Sequence, residues 1–262
     1  MLNGLIRKDV KAVDKKDPIR SILGNVLGDT RTRTVVLDGQ RPYGIPNQRA
    51  LMGRNLNDRS KVEKFTMPTP VLTPSSDRYA ALAVIDETLA AYLPVEENGR
   101  LRGIVDPLDL VADLEDGPTA GDAAEIVPAL KATATIGEAI TVFHKVHVDH
   151  LPVLDGNGRL CGALARSAVI RLEGQARESR GRQDYATDSI HMHKDAVGGF
   201  MDDAFIEAPA DLDCPATAKL LRDAGYAIVR LERHNGGETY GVVTPAYLAR
   251  ACNRQKLGTS LV

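Results

Sequence analysis

Two carboxylates three residues apart, Asp106 and Asp109, carry the clearest chemical signal in this sequence. They stand in Gly103-Ile104-Val105-Asp106-Pro107-Leu108-Asp109, where an apolar run passes into a helix start. Asp is a favoured N-cap and Pro a favoured first helical residue, so capping alone explains Asp-Pro-x-Asp. The chemical alternative is an ionised carboxylate that accepts hydrogen bonds from hydroxyl donors. Histidines form a second set. His144, His147 and His150 recur every three residues with Cys161 nearby, and His191 and His193 lie in a polar stretch. No two-residue cysteine pair accompanies them, which argues against zinc. The chain has no Gly-rich phosphate loop with Lys, no G-x-S-x-G, and no evident Cys–His or Ser–His partners. The enzyme reading is therefore poor, and a non-catalytic protein is expected.

The elements around Asp106 and Asp109 recur. Leu93 to Leu110 reads as a strand, a turn at Asn98-Gly99, a second strand and a helix start. The pattern returns at Leu151 to Ala168, and more weakly at Thr34 to Ala50 and Ile228 to Tyr247. The glycines opening the second strand of each copy are Gly44, Gly103, Gly162 and Gly241. Such self-similarity predicts four small α/β units, each strand–helix–strand–strand–helix. In the first, Ile19, Ile22, Leu23 and Val26 form a helical stripe after Asp17-Pro18, and Asn47 can cap a second helix. In the second, Tyr79, Leu82, Ala83 and Leu89 are expected inward. In the third, Thr135-Ile136-Gly137-Glu138 is a capping box. In the fourth, Asp213-Cys214-Pro215 and Thr244-Pro245 open helices. Residues 172–196 read as a helix continuation and a polar loop. Units this small bury too little surface to stand alone, so neighbours should pair.

Composition agrees with small aliphatic cores: hydrophobic residues make up 43% of the 262, aromatics 4%, and Trp is absent. No apolar run approaches the roughly 20 residues of a membrane span. The first residues lack a secretory apolar region, so a cytoplasmic chain without a membrane partner is expected. Three cysteines, Cys161, Cys214 and Cys252, make a disulfide framework unlikely on number and spacing. The net charge of −2 hides a gradient. Residues 1–64 hold 14 Lys/Arg against 7 Asp/Glu, whereas residues 65–130 hold 3 against 12. Either the basic surface meets a charged partner, or the two regions neutralise each other within the molecule. A macromolecular partner such as RNA or a ribosomal subunit would be met by Arg7, Lys8, Lys11, Lys15, Lys16, Arg31 and Arg33, with Arg177, Arg180 and Arg182 as a second set. The absence of an aromatic stacking set and the near-neutral charge speak against it.

The order LPV, then D/E-x-x-G, then G-h-h-x-x-x-D opening a helix, resembles cystathionine-β-synthase (CBS) domains. The resemblance covers nearly the whole chain except residues 53–61 and 172–196. It implies an α/β (α+β) fold of four CBS repeats, at about 5–57, 62–116, 123–173 and 197–254. It further implies their pairing into two Bateman modules, 1–120 and 121–262, as in the gamma subunit of AMP-activated protein kinase and small archaeal CBS proteins. The family commonly binds AMP, ADP, ATP or S-adenosylmethionine as a ligand between paired repeats and so regulates a protein partner or a second copy. Its ribose motif, Gly-h-h-Ser/Thr-x-x-Asp, places Asp109 in register, with Asp106 at the Ser/Thr position. Repeat four keeps Thr244 but has Tyr247 for the Asp. Repeats one and three have Asn47 with Ala50 and Ala165 with Ala168. The family often sets His or Arg just before LPV, reaching the ligand phosphate. That position holds Arg33, Tyr92 and His150 in the first three repeats, implying His150 as a phosphate donor and Tyr92 as an adenine stacker.

Overall fold

A computed structural model describes residues 1–27, 33–52, 54, 60–114, 116–178, 192–232 and 238–259, with the backbone alone at 175–178 and 259. Repeat one contains β1 (Val10–Asp14), α1 (Arg20–Leu27), β2 (Arg33–Asp38), β3 (Arg41–Pro46) and α2 (Gln48–Leu51). Repeat two follows with β4 (Thr66–Pro68), α3 (Arg78–Thr88), β5 (Leu93–Glu97), β6 (Arg100–Val105) and α4 (Pro107–Val111). A short helix, α5 (Ala120–Ala123), leads into repeat three. That repeat comprises β7 (Glu125–Val127), β8 (Leu130–Lys131), α6 (Ile136–Lys145), β9 (His150–Leu154), β10 (Leu160–Ala165) and α7 (Arg166–Glu178). Repeat four adds β11 (Glu207–Ala208), α8 (Cys214–Ala224), β12 (Ala227–Glu232), β13 (Glu238–Val243) and α9 (Pro245–Thr259).

Local chemistry sets these boundaries. Asn98 and Gly99 turn the β5–β6 hairpin with φ of 54° and 77°, the positive values a tight primed turn needs. Asp77, Asp106, Thr135 and Asp213 each accept a backbone N–H at a helix start, and Thr135 with Glu138 completes the capping box. The buried face of α3 is Ala81, Leu82 and Ile85, so the expected inward set is corrected for Tyr79 and Ala83, which are exposed. The helix begins at Arg78 and its stripe is fixed by packing against α9 of repeat four. Leu89, also expected inward, is the left-handed C-cap.

Each hairpin sheet is completed by a lead segment from the neighbouring repeat. β1 runs parallel to β2, β2 pairs with β3, and β3 pairs with β4, which opens repeat two. In return, Arg7, at the start of repeat one, bridges Ile104 of β6, while Leu72 bridges Val95 within repeat two. Repeats three and four make the same exchange. β13 pairs with β7, and Asp202 bridges Ala163 of β10. The exchange explains the recurrent glycines, since a Cβ on Gly44 would lie 2.2 Å from the Met67 carbonyl oxygen. On Gly103 it would lie 2.3 Å from that of Arg7. Overpacking of this kind costs about 1–3 kcal/mol. Gly44→Ala or Gly103→Ala should therefore lower the urea midpoint measurably, and an unchanged midpoint would refute the close approach.

The pairs stack through two apolar clusters. One joins repeat two, including Leu82, Ile85 and Leu108, to repeat four through Leu221, Leu248 and Cys252. The other joins repeat one, including Ile22 and Leu51, to repeat three through Phe143, Leu151 and Val169. Polar ties cross the same interface. Arg254 donates to Asp86 at 2.9 Å, Asn253 to Asp86 at 3.1 Å, and Arg49 meets Nδ1 of His147 at 3.1 Å. The three cysteines are free thiols. Among the described residues no helix is long and apolar enough to cross a membrane.

Candidate functional site

The two aspartates of the motif have different tasks. Asp106 is 4% exposed and caps α4, its Oδ1 accepting from Leu108 N at 3.0 Å and its Oδ2 from Arg33 Nη2 at 3.3 Å. Asp109 makes no cap. Arg7 Nε and Nη2 donate to its Oδ2 and Oδ1 at 2.6 and 2.7 Å, and Arg222 Nη1 donates to Oδ1 at 3.0 Å. Burial alone would raise the Asp109 pKa, but the bonds from Arg7 and Arg222 outweigh it and hold the group below the usual carboxylate range. Three repeats therefore meet at one carboxylate. Arg7 arrives on the exchanged lead segment, Asp109 on α4, and Arg222 on α8 of repeat four.

The residues just before the LPV-type strands face one another in pairs. The Arg33 guanidinium lies 5.3 Å from the Tyr92 ring centroid. His150 stacks on Tyr226 with centroids 3.6 Å apart and planes 7° from parallel. Tyr226 occupies in repeat four the position of Tyr92 in repeat two, so each pair carries one such contact across its pseudo-twofold. The sequence held this signal, since all four residues open or immediately precede equivalent strands, but local patterning does not say that they meet.

These contacts redefine two expected ligand contacts. Tyr92 is 7% exposed, and its hydroxyl donates to the Thr34 carbonyl at 2.7 Å and accepts from Thr34 N at 3.2 Å. Burial raises its pKa to about 12 against the Thr34 bond and Arg33. A ring so enclosed is part of the wall rather than an open surface for adenine. Burial lowers His150 to about 4, so it is neutral near pH 7 and is no cationic phosphate donor. Thr244 accepts from Tyr247 N at 3.4 Å and so caps α9. Where the ribose motif has Asp, Tyr247 is buried, its hydroxyl unpaired among the described residues, with Arg250 5.5 Å from its ring centroid. A cavity of about 440 Å³ beside it is lined by Asp122, Glu125, Tyr247, Arg250 and Arg254 among others.

The cations expected to meet a macromolecule disperse. Arg7 and Arg33 turn inward to Asp109 and Asp106, so repeat one does neutralise part of repeat two. Lys15 pairs with Asp38 at 2.8 Å, and Lys11 donates to the Ser21 carbonyl at 2.8 Å. Lys8 and Lys16 are exposed. Arg31, Arg180 and Arg182, together with the side chain of Arg177, lie outside the described residues, as does His191. Among the described residues no group of three His, Cys, Asp or Glu side chains can hold a metal ion.

Residues 123–174 match the CBS domain family. That segment is accordingly a CBS domain, and the chain as a whole has a mixed α/β fold. Its fold over most of its length is shared by two solved structures. One, from Methanocaldococcus jannaschii, was proposed as an archaeal homologue of g-AMPK. It is 16% identical with a TM-score of 0.72, and the match covers 94% of this chain and 98% of that one. The other is an uncharacterized conserved protein from Pyrococcus horikoshii, 16% identical with a TM-score of 0.54, matching 84% of this chain and 89% of its own. At such identity the likeness is one of fold. No curated protein matches the sequence.

Proposed function

We propose that this chain is a non-catalytic regulatory protein built of two modules, 1–120 and 121–262, which binds an adenine nucleotide or adenosyl ligand. Asp109 is the ribose acceptor in the first module. The observation that carries this reading is the unusual employment of Asp109. Its neighbour Asp106 suffices to cap the helix, yet Asp109 stays ionised and 16% exposed, held by two guanidiniums that are themselves 44% and 41% exposed. A carboxylate accepts both hydroxyls of a vicinal diol, and guanidiniums beside it suit a phosphate. Repeats one, three and four have Ala50, Ala168 and Tyr247 at this position, so one site per chain is expected. Ligand binding regulates a protein partner only as far as it favours one arrangement of the modules over another.

Thermal unfolding with AMP, ADP, ATP and S-adenosylmethionine tests the reading. A ligand at about 100 times its Kd stabilises the folded chain by about 2.7 kcal/mol, a readily visible shift. At least one of the four should produce it. A folded protein that shifts with none of them would overturn the proposal.

A further inference from the structure

We infer that Arg7 is a movable stand-in for ligand at Asp109. A ribose diol displaces it from the carboxylate, and the freed guanidinium then holds the ligand's phosphate, so the site selects phosphorylated nucleosides. This rests on the reading of Asp109 as the ribose acceptor. Arg7 places one donor on each Asp109 oxygen, at 2.6 and 2.7 Å, which is the two-point contact a vicinal diol would make. Arg222 takes a third acceptor position at 3.0 Å. A carboxylate offers about four such positions, so diol and both arginines cannot share it in full.

The Arg7 backbone is tied down, while its side chain is partly exposed. Main-chain bonds of 2.8 and 2.9 Å tie Arg7 to Ile104, whereas the side chain is 44% exposed. The guanidinium can therefore swing away without opening the sheet. Charge then decides which ligand is accepted. An uncharged nucleoside would take Asp109 and leave Arg7 without its anion, whereas a phosphate restores one. A cationic sulfonium ligand would add positive charge beside two arginines already sharing one carboxylate.

Calorimetric titration of AMP and of adenosine into the native chain and into Arg7→Met tests this. The native chain should bind AMP at least about tenfold tighter than adenosine. In Arg7→Met adenosine should bind more tightly than it does to the native chain, and the gap should close to about twofold or less. Equal affinities on the native chain, or a gap that survives in Arg7→Met, would overturn the exchange and leave Asp109 as ribose acceptor intact. Absence of binding by both ligands to the native chain would overturn the ribose reading and the exchange together. Should Arg7→Met fail to fold, Arg7→Gln removes the charge in its place. The gap must close there too, and a gap that survives overturns the exchange.

Discussion

Arg166→Ala should lose about 3–5 kcal/mol of unfolding free energy, because three carbonyls lose their buried donor and the side chain leaves a cavity. Arg166 is 1% exposed at the start of α7. Its Nε donates to Asp149 at 2.8 Å, its Nη1 to the Phe143 carbonyl at 3.1 Å, and its Nη2 to the carbonyls of Val146 and Val148 at 3.3 and 2.7 Å. The guanidinium also lies 4.7 Å from the Phe143 ring centroid. It thus closes the C-terminal end of α6, where carbonyls have no helical partner and a cation is favoured. Asp149 is 49% exposed, so solvent screens that ion pair and the carbonyl bonds carry most of the effect. Arg166→Met keeps apolar volume but not the donors, and should cost nearly as much. Urea titration reads the difference, and a loss below about 1 kcal/mol would show the carbonyls finding other partners.

The second large effect concerns acid. The folded protein holds His150 at about 4, against 6.5 for the free side chain. Below 6.5 the unfolded chain binds a proton there that the folded chain refuses. Stability is therefore full above about pH 6.5 and falls as the pH drops toward 4. The whole span is worth up to about 3 kcal/mol, at 1.36 kcal/mol per unit of pKa. Carboxylates whose folded pKa is depressed, Asp109 among them, also lose stability in acid, so the difference between two proteins is the informative quantity. His150→Phe keeps a ring against Tyr226 and removes the titration. Its stability should fall less steeply than the native chain's between pH 6.5 and 4.5. Parallel curves would mean that His150 is protonated in the fold without penalty.

The sequence foretold the elements better than their partnerships. The hairpins, the turn at Asn98-Gly99 and the capping residues at 77, 106, 135 and 213 all follow from short-range chemistry. The exchange of lead segments was not legible, because a short strand has the same pattern whichever hairpin it joins. The glycines at 44, 103, 162 and 241 marked the place of close approach without naming what approaches. The face of α3 was misplaced because its stripe is fixed by a helix more than 150 residues away, as the Asn253–Asp86 separation of 167 shows. Arg222 and Arg166 gave no local sign at all. The bond between Arg222 and Asp109 joins positions 113 apart, and Arg166 follows the ribose-motif position of a repeat with no aspartate there.

Asp109 itself was legible as a candidate, but its arginine partners were not. Charge counts leave Arg7 either on a surface for a large partner or against the acidic repeat, because they give no direction to a side chain. Once the lead segment crosses β6, that cation has an anion within reach and turns to it.

The most direct measurement compares AMP with 2′-deoxy-AMP on the native chain and on Asp109→Ala. If Asp109 accepts the ribose hydroxyls, the native chain should bind AMP about tenfold or more tightly than the deoxy compound, since a half-buried charged acceptor loses its donor. Asp109→Ala should bind the two alike, whatever its absolute affinity. A native chain that binds neither, or a preference for AMP that persists undiminished in Asp109→Ala, would contradict the assignment of Asp109 as the ribose acceptor.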